Sequence, residues 1–210
     1  MVMDYQPFKL IAVLLVATGI AILISIYWPV AQVELGYLSD QIGSIKYVVG
    51  DMPTYNTFQK LLTPVNTDFS IIIPKIAAVA PIVDNVDPNQ PYMYLLALQN
   101  GVAHALGSAN PDDAGNVYLF AHSTDAFWNV GKYNAIFFLL GKLSKGDEIY
   151  IYFKNRRIKY VADQVKIVSP SEIDYSVGNL DQKTLTIQTD YPPGLTFRRL
   201  LVIANEVGIQ

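Results

Sequence analysis

The chain has 210 residues, 51% hydrophobic and 16% charged, a composition that supports a packed core and excludes disorder over most of the length. A net charge of −3 with scattered basic residues leaves no electrostatic footprint for nucleic acid. Cysteine is absent, which removes disulfides, thiolate metal sites and any thiol chemistry supplied by this sequence.

The first element is an uncharged run, LIAVLLVATGIAILISIYW, over residues 10–28. Spanning a bilayer takes about 20 apolar residues, so the run is long enough. A cleavable leader has a shorter apolar core and a small-residue cleavage site. Here the run ends on Tyr27, Trp28 and Pro29, an interfacial ending, and reads as an uncleaved anchor over residues 10–30. Lys9 precedes the span and the next lysine is Lys46. That asymmetry places a short tail, residues 1–9, in the cytoplasm and the bulk of a single-pass cell-membrane protein outside.

Residues 31–68 read as a stalk with Gly36, Gly43, Gly50, Pro53 and Pro64 and no sustained helical periodicity, apart from a short helix over 55–62. From Phe69 onward, short strand-like runs alternate with turn residues: 70–73, 77–79, 116–122, 148–153, 157–168, 184–189 and 199–204. Helices are expected over 92–98 and 126–140, with a short one over 170–175. Many short strands at this spacing predict a mainly β domain over 69–210, a sandwich or closed barrel. Lys154, Arg156, Arg157 and Lys159 form a local basic cluster, read as a solvated turn.

Few polar residues stand out as chemistry. His122 ends the run NVYLFAH, where a strand end can present an imidazole to a cleft as acid or base. Asp190 follows TLTIQT and precedes Tyr191-Pro192-Pro193-Gly194, a setting that equally suits a turn-forming aspartate. Arg199 opens the last strand and by itself is an edge charge. Asp84, Asp87, Asp112 and Asp113 sit in ordinary loop contexts, and no metal or cofactor site is expected. There is no G-x-S-x-G elbow, phosphate loop or dinucleotide fingerprint.

Four stretches in collinear order carry a more specific signal: IPKIAAVAPI (73–82), GVAHALGSANPDDAGNVYLFAHS (101–123), LSKGDEIYIY (143–152), and TLTIQTDYPPG (184–194) followed by RRLLVIA. Together they resemble the sortase family across residues 69–204. The resemblance implies a closed eight-stranded β-barrel with short helices and a cleft built from His, Cys and Arg. It implies a cysteine attack on an LPxTG-like sorting signal of a surface protein. An amine of a cell-wall precursor or pilin then resolves the thioacyl intermediate. The family histidine matches His122 and the arginine matches Arg199, with Arg198 as the alternative. His104, Thr189 and Tyr191 fall near the cleft in the family pattern and are assigned to substrate binding. Residues 169–183 match the loop that contacts the sorting signal.

One position departs from the family: its cysteine falls on Asp190. A carboxylate is a far weaker nucleophile than a thiolate, and its attack on an amide gives a high-energy anhydride. Ordinary sortase turnover is therefore not expected. Two other readings remain, a non-catalytic protein that binds sorting signals or a partner sortase, and an aspartate-dependent hydrolase in the same cleft. If the three side chains meet, the Asp190 carboxylate lies between His122 and Arg199 as a charge-assisted hydrogen-bonded pair.

Overall fold

The computed structural model describes residues 6–50, 58–122, 133, 136–176, 178 and 181–209. The chain divides into two compact units, Met1–Gly43 and Ser44–Gln210. The first is a single helix, α1 (Gln6–Ile42). Within it Phe8–Trp28 has a mean hydropathy of 2.7 over 21 residues, and large apolar side chains such as Leu15 and Val16 are exposed. This stretch is long and apolar enough to cross a membrane. The helix does not stop at the stalk boundary expected near residue 31. Ala31, Gln32, Glu34 and Leu35 favour helix, and the run ends only at Gly43 and Ser44, where Ser44 has a φ of 53°. The segment beyond Trp28 adds about 20 Å of rise.

In the second unit, β1 (Lys46–Val49) and β2 (Gln59–Leu62) form a parallel pair. Residues 59–62 are thus a strand, not part of the helix expected over 55–62, whose first residues lie outside the described ones. Gln59 and Leu61 alternate with Lys60 and Leu62 across the strand, and pairing to β1 overrides the short helical pattern.

The remaining strands are β3 (Phe69–Ile73), β4 (Ala78–Val86), β5 (Val102–Ala105), β6 (Gly115–Phe120), β7 (Glu148–Phe153), β8 (Arg156–Val168), β9 (Lys183–Tyr191) and β10 (Arg198–Ile209). They close into an eight-stranded barrel in the order β10-β8-β7-β3-β4-β5-β6-β9. The fold is mainly β, as the resemblance implied. Period-two alternation fills the interior: Ile71, Ile149, Ile151, Ile158, Leu119, Leu185, Ile187 and Val202 are fully buried. Burying each such side chain contributes about 1.5–3 kcal/mol relative to exposure.

β4 starts one residue later than the sequence suggested, because Ala77 has a φ of 51° and ends the 3-10 turn Pro74–Ile76. β5 was not legible as a strand: it has four residues and pairs parallel to β4 and antiparallel to β6. Between β4 and β5 runs α2 (Pro91–Asn100), close to the expected helix. Gly101 ends it where a Cβ would collide with the Pro81 carbonyl oxygen, so glycine lets β5 close onto β4. The helix expected over 126–140 falls largely outside the described residues. Ile136–Leu139 is a turn and Leu140–Lys142 a 3-10 segment. Phe137, Leu139 and Leu140 are buried, so this apolar run covers the core as separate side chains rather than as one helical face. Residues 170–172 form a single 3-10 turn closed by a Ser169–Glu172 capping box.

Candidate active site at the barrel cleft

The parallel pairing of β6 with β9 sets Tyr118 beside Thr186 and Phe120 beside Gln188. Antiparallel pairing of β9 with β10 sets Asp190 opposite Arg199. Directly paired residues share a face, so Asn116, Tyr118, Phe120, Thr186, Gln188, Asp190 and Arg199 all lie on the outer side of this sheet. Leu185, Ile187 and Leu200 lie on the inner side. His122 follows β6 by two residues and continues its outward series.

At the end of this face three charged or ionisable side chains meet. Asp190 Oδ2 is 3.0 Å from His122 Nδ1, and Asp190 Oδ1 is 3.2 Å from Arg199 Nη1. Their side chains keep 18% (His122), 10% (Asp190) and 21% (Arg199) exposure, so the group is not sealed from solvent. Arg199 Nη1 also donates to the carbonyl oxygens of Thr196 and Arg198 at 2.8 and 3.1 Å. The guanidinium is thereby fixed by its own loop. Arg198 pairs with Tyr191 on the opposite face and is exposed, so the geometry brings Arg199, not Arg198, to the carboxylate.

A fourth side chain, Tyr94 of α2, stands over His122. Its hydroxyl is 3.3 Å from both Nδ1 and Nε2, and the rings are 5.2 Å apart at 83°. In the imidazole plane, a point equally close to both nitrogens falls against Cε1. The hydroxyl therefore caps the ring face. Tyr94 also stacks on Phe120 at 5.5 Å and 13°. Tyr175 packs edge-on against Tyr118 and Phe120, which makes an aromatic wall along β6. Tyr118 donates to Gln188 Oε1 at 2.7 Å. Burial pushes both the Tyr118 and the Tyr175 phenols up, so the wall is neutral and hydrogen-bonded at ordinary pH.

The other expected site residues lie elsewhere. Thr189 is 2% exposed and points into the barrel, opposite to Asp190, and its hydroxyl has no partner. Tyr191 shares that parity and is half-buried at the strand end. Neither side chain faces the cleft floor. His104 is 1% exposed. Its Nδ1 meets Asp84 Oδ1 at 2.6 Å, and its Nε2 lies near Ala109 O and Ser108 Oγ at 3.0 and 2.8 Å. Its described hydrogen-bond partners come from β4 and the residues after β5, and none of them belongs to the His122, Asp190 and Arg199 group. The loop aspartates are likewise engaged locally: Asp87 accepts from the Asn89 amide, Asp112 pairs with Arg156, and Asp113 accepts from Asn110. Among the described residues no cluster of three or more metal-ligating side chains occurs.

The sortase domain family matches residues 71–207. The chain belongs to the sortase family. Sortase D of Bacillus subtilis is 28% identical over 120 residues, 57% of this chain and 52% of that protein. The chain thus spans about half the length of that curated relative. Among solved structures, a Clostridium perfringens sortase D5, described as a transpeptidase, is 29% identical over 67% of this chain and 79% of its own, with a TM-score of 0.55. Sortase A of Corynebacterium diphtheriae is 28% identical, covering 68% of this chain and 61% of that one, with a TM-score of 0.57. Sortase C-1 of Actinomyces oris is 25% identical, covering 69% and 76%, also at 0.57.

Within this sortase, the residue that sequence reading missed at the site is Tyr94. The only available signal was a tyrosine in the middle of a short uncharged helix, and nothing in PYMYLLALQN distinguishes it from its neighbour Tyr92. Tyr92 is 74% exposed.

Proposed function

We propose that this sortase-family protein receives LPxTG-like sorting signals of surface proteins in the cleft of β6, β9 and β10, and that its transpeptidation to a cell-wall or pilin amine is abolished or severely impaired. The single observation that carries this reading is the environment of Asp190. In the family resemblance this position belongs to the nucleophilic cysteine, and this sequence has no cysteine. Here a carboxylate occupies it, with one oxygen on His122 and the other on Arg199. Both partners are engaged by Asp190, and no thiolate is present to form an acyl intermediate. The apolar helix supports attachment to the cell membrane through residues 10–30. In this reading residues 1–9 are a cytoplasmic tail, 31–68 a spacer and 69–210 an extracytoplasmic barrel.

A second reading has the same supporting observation: a non-catalytic pseudo-sortase that holds sorting-signal peptides or a partner sortase. One experiment separates the two. The full chain and Asp190→Cys, in detergent micelles, are incubated with an LPxTG peptide and an amine acceptor, and products are followed by mass spectrometry. Acyl transfer by Asp190→Cys with none by the parent supports a disabled transpeptidase. Peptide binding by both without transfer by either supports the binder. Transfer by the parent overturns the proposal.

A further inference from the structure

A carboxylate that cannot act as an acyl-transfer nucleophile still does something to the histidine beside it. Asp190 Oδ2 lies 3.0 Å from Nδ1 of His122, so Nδ1 donates and its proton is held there. Asp190 is in turn held by Arg199 at 3.2 Å, and the Tyr94 hydroxyl caps the ring face. The imidazole is fixed in tautomer and orientation, with the lone pair of Nε2 left as its basic site. His122 keeps 18% side-chain exposure, so solvent reaches it. The half-buried rings of Tyr94 and Tyr175, packed over the buried Phe120, offer an apolar surface for an acyl group.

We infer that His122, oriented by Asp190, acts as a general base that delivers water to carboxylic esters bound along this wall. Water attacks the ester carbonyl carbon as its proton passes to Nε2. The tetrahedral intermediate then collapses, the bond from carbon to the alkoxy oxygen breaks, and the leaving oxygen departs as the anion or takes the proton back from Nε2. The products are a carboxylic acid and an alcohol or phenol, and no acyl-enzyme forms. The imidazolium formed in passing lies against the Asp190 carboxylate, which stabilises it. Nη1 of Arg199 is shared by Asp190 and two backbone carbonyls, so the other guanidinium N–H groups are what this residue can offer a developing oxyanion. A single guanidinium is a weaker oxyanion site than a preorganised set of donors, which confines the reaction to esters with good leaving groups and leaves amides untouched.

The test uses the full chain in detergent micelles with p-nitrophenyl butyrate, reading nitrophenolate release. The parent should hydrolyse the ester above the micelle background and more slowly in deuterium oxide. His122→Ala should lose activity by about 10²-fold and Asp190→Asn by about tenfold or more. Added imidazole should restore rate to His122→Ala. His122→Gln replaces it if the alanine variant does not fold. Equal rates for the parent and both variants, or a stoichiometric burst that stops at acylated protein, overturn the inference. These outcomes are independent of the sorting-signal reading: acyl transfer by Asp190→Cys with a flat parent ester rate removes the general base alone. Ester hydrolysis by the parent without transfer by Asp190→Cys removes the disabled-transpeptidase reading alone.

Discussion

The molecule contains two histidine–aspartate pairs, and they differ in where the second ring nitrogen goes. At His104, Nδ1 meets Asp84 at 2.6 Å, and Nε2 faces the Ala109 carbonyl and the Ser108 hydroxyl. Ser108 also donates to the Ala105 carbonyl, and both nitrogens of this ring are committed to buried partners. At His122, Nδ1 meets Asp190 at 3.0 Å, while Nε2 meets, among the described residues, the face-on Tyr94 hydroxyl at 3.3 Å. The same two residue types give a lock in one place and a poised base in the other. Burial decides the difference: His104 is 1% exposed in its side chain and His122 is 18% exposed.

Removing each ring in turn separates the two pairs. His104→Ala should lower unfolding stability by about 3 kcal/mol, because it opens a cavity and strands buried polar partners. His122→Ala should cost less than about 1 kcal/mol, since Asp190 keeps Arg199 and solvent access. Thermal unfolding of the full chain in micelles measures both, and equal losses would erase the distinction.

A smaller effect tests the wall between core and cleft. Thr189 and Asp190 are neighbours, yet the Thr189 hydroxyl is buried without a partner on the inner face. Thr189→Val should be neutral or stabilising by up to about 1 kcal/mol and leave peptide binding unchanged. Weaker sorting-peptide binding by Thr189→Val would return this residue to the cleft.

The smallest effect sets a scale for a paired carboxylate in solvent. Glu148 is held below the usual carboxylate range by hydrogen bonds from Lys159 and then Tyr150. Its folded value is depressed, so its stabilisation is present above the ordinary glutamate range and lost as pH falls through the folded value. With 47% of its side chain exposed, the contribution is about 0.5 kcal/mol after solvent screening. Glu148→Gln should match the parent in acid and fall slightly below it at neutral pH in parallel melts. A gap of the size expected for His104→Ala would show that exposure does not set the worth of these pairs.

Much of the barrel was legible because burial imposes period two on each strand. The runs at 148–153 and 157–168 needed no partner to be seen, since Ile149, Ile151, Ile158 and Tyr160 mark one inner face. β5 was missed because four buried residues, Val-Ala-His-Ala, carry no alternation. The strand at 59–62 was misread because its pairing with residues 46–49 is non-local. Parity along TLTIQTDY could have placed Thr189 inside, since it is odd to Asp190; the family pattern, which counts proximity in sequence, pointed the other way.

The amino-acid sequence alone establishes that the chain holds no thiol, that one segment suits a bilayer, and that a carboxylate follows the strand run TLTIQT. These follow from residue identity and local period, which need no partner. The fold alone decides which histidine keeps access to solvent, that Arg199 and not Arg198 reaches the carboxylate, and that Tyr94 covers the imidazole. His122 and Asp190 are 68 residues apart, and their meeting depends on β6 and β9 pairing in parallel. Strand register is a property of the closed barrel, where one residue of slip sends every side chain to the other face.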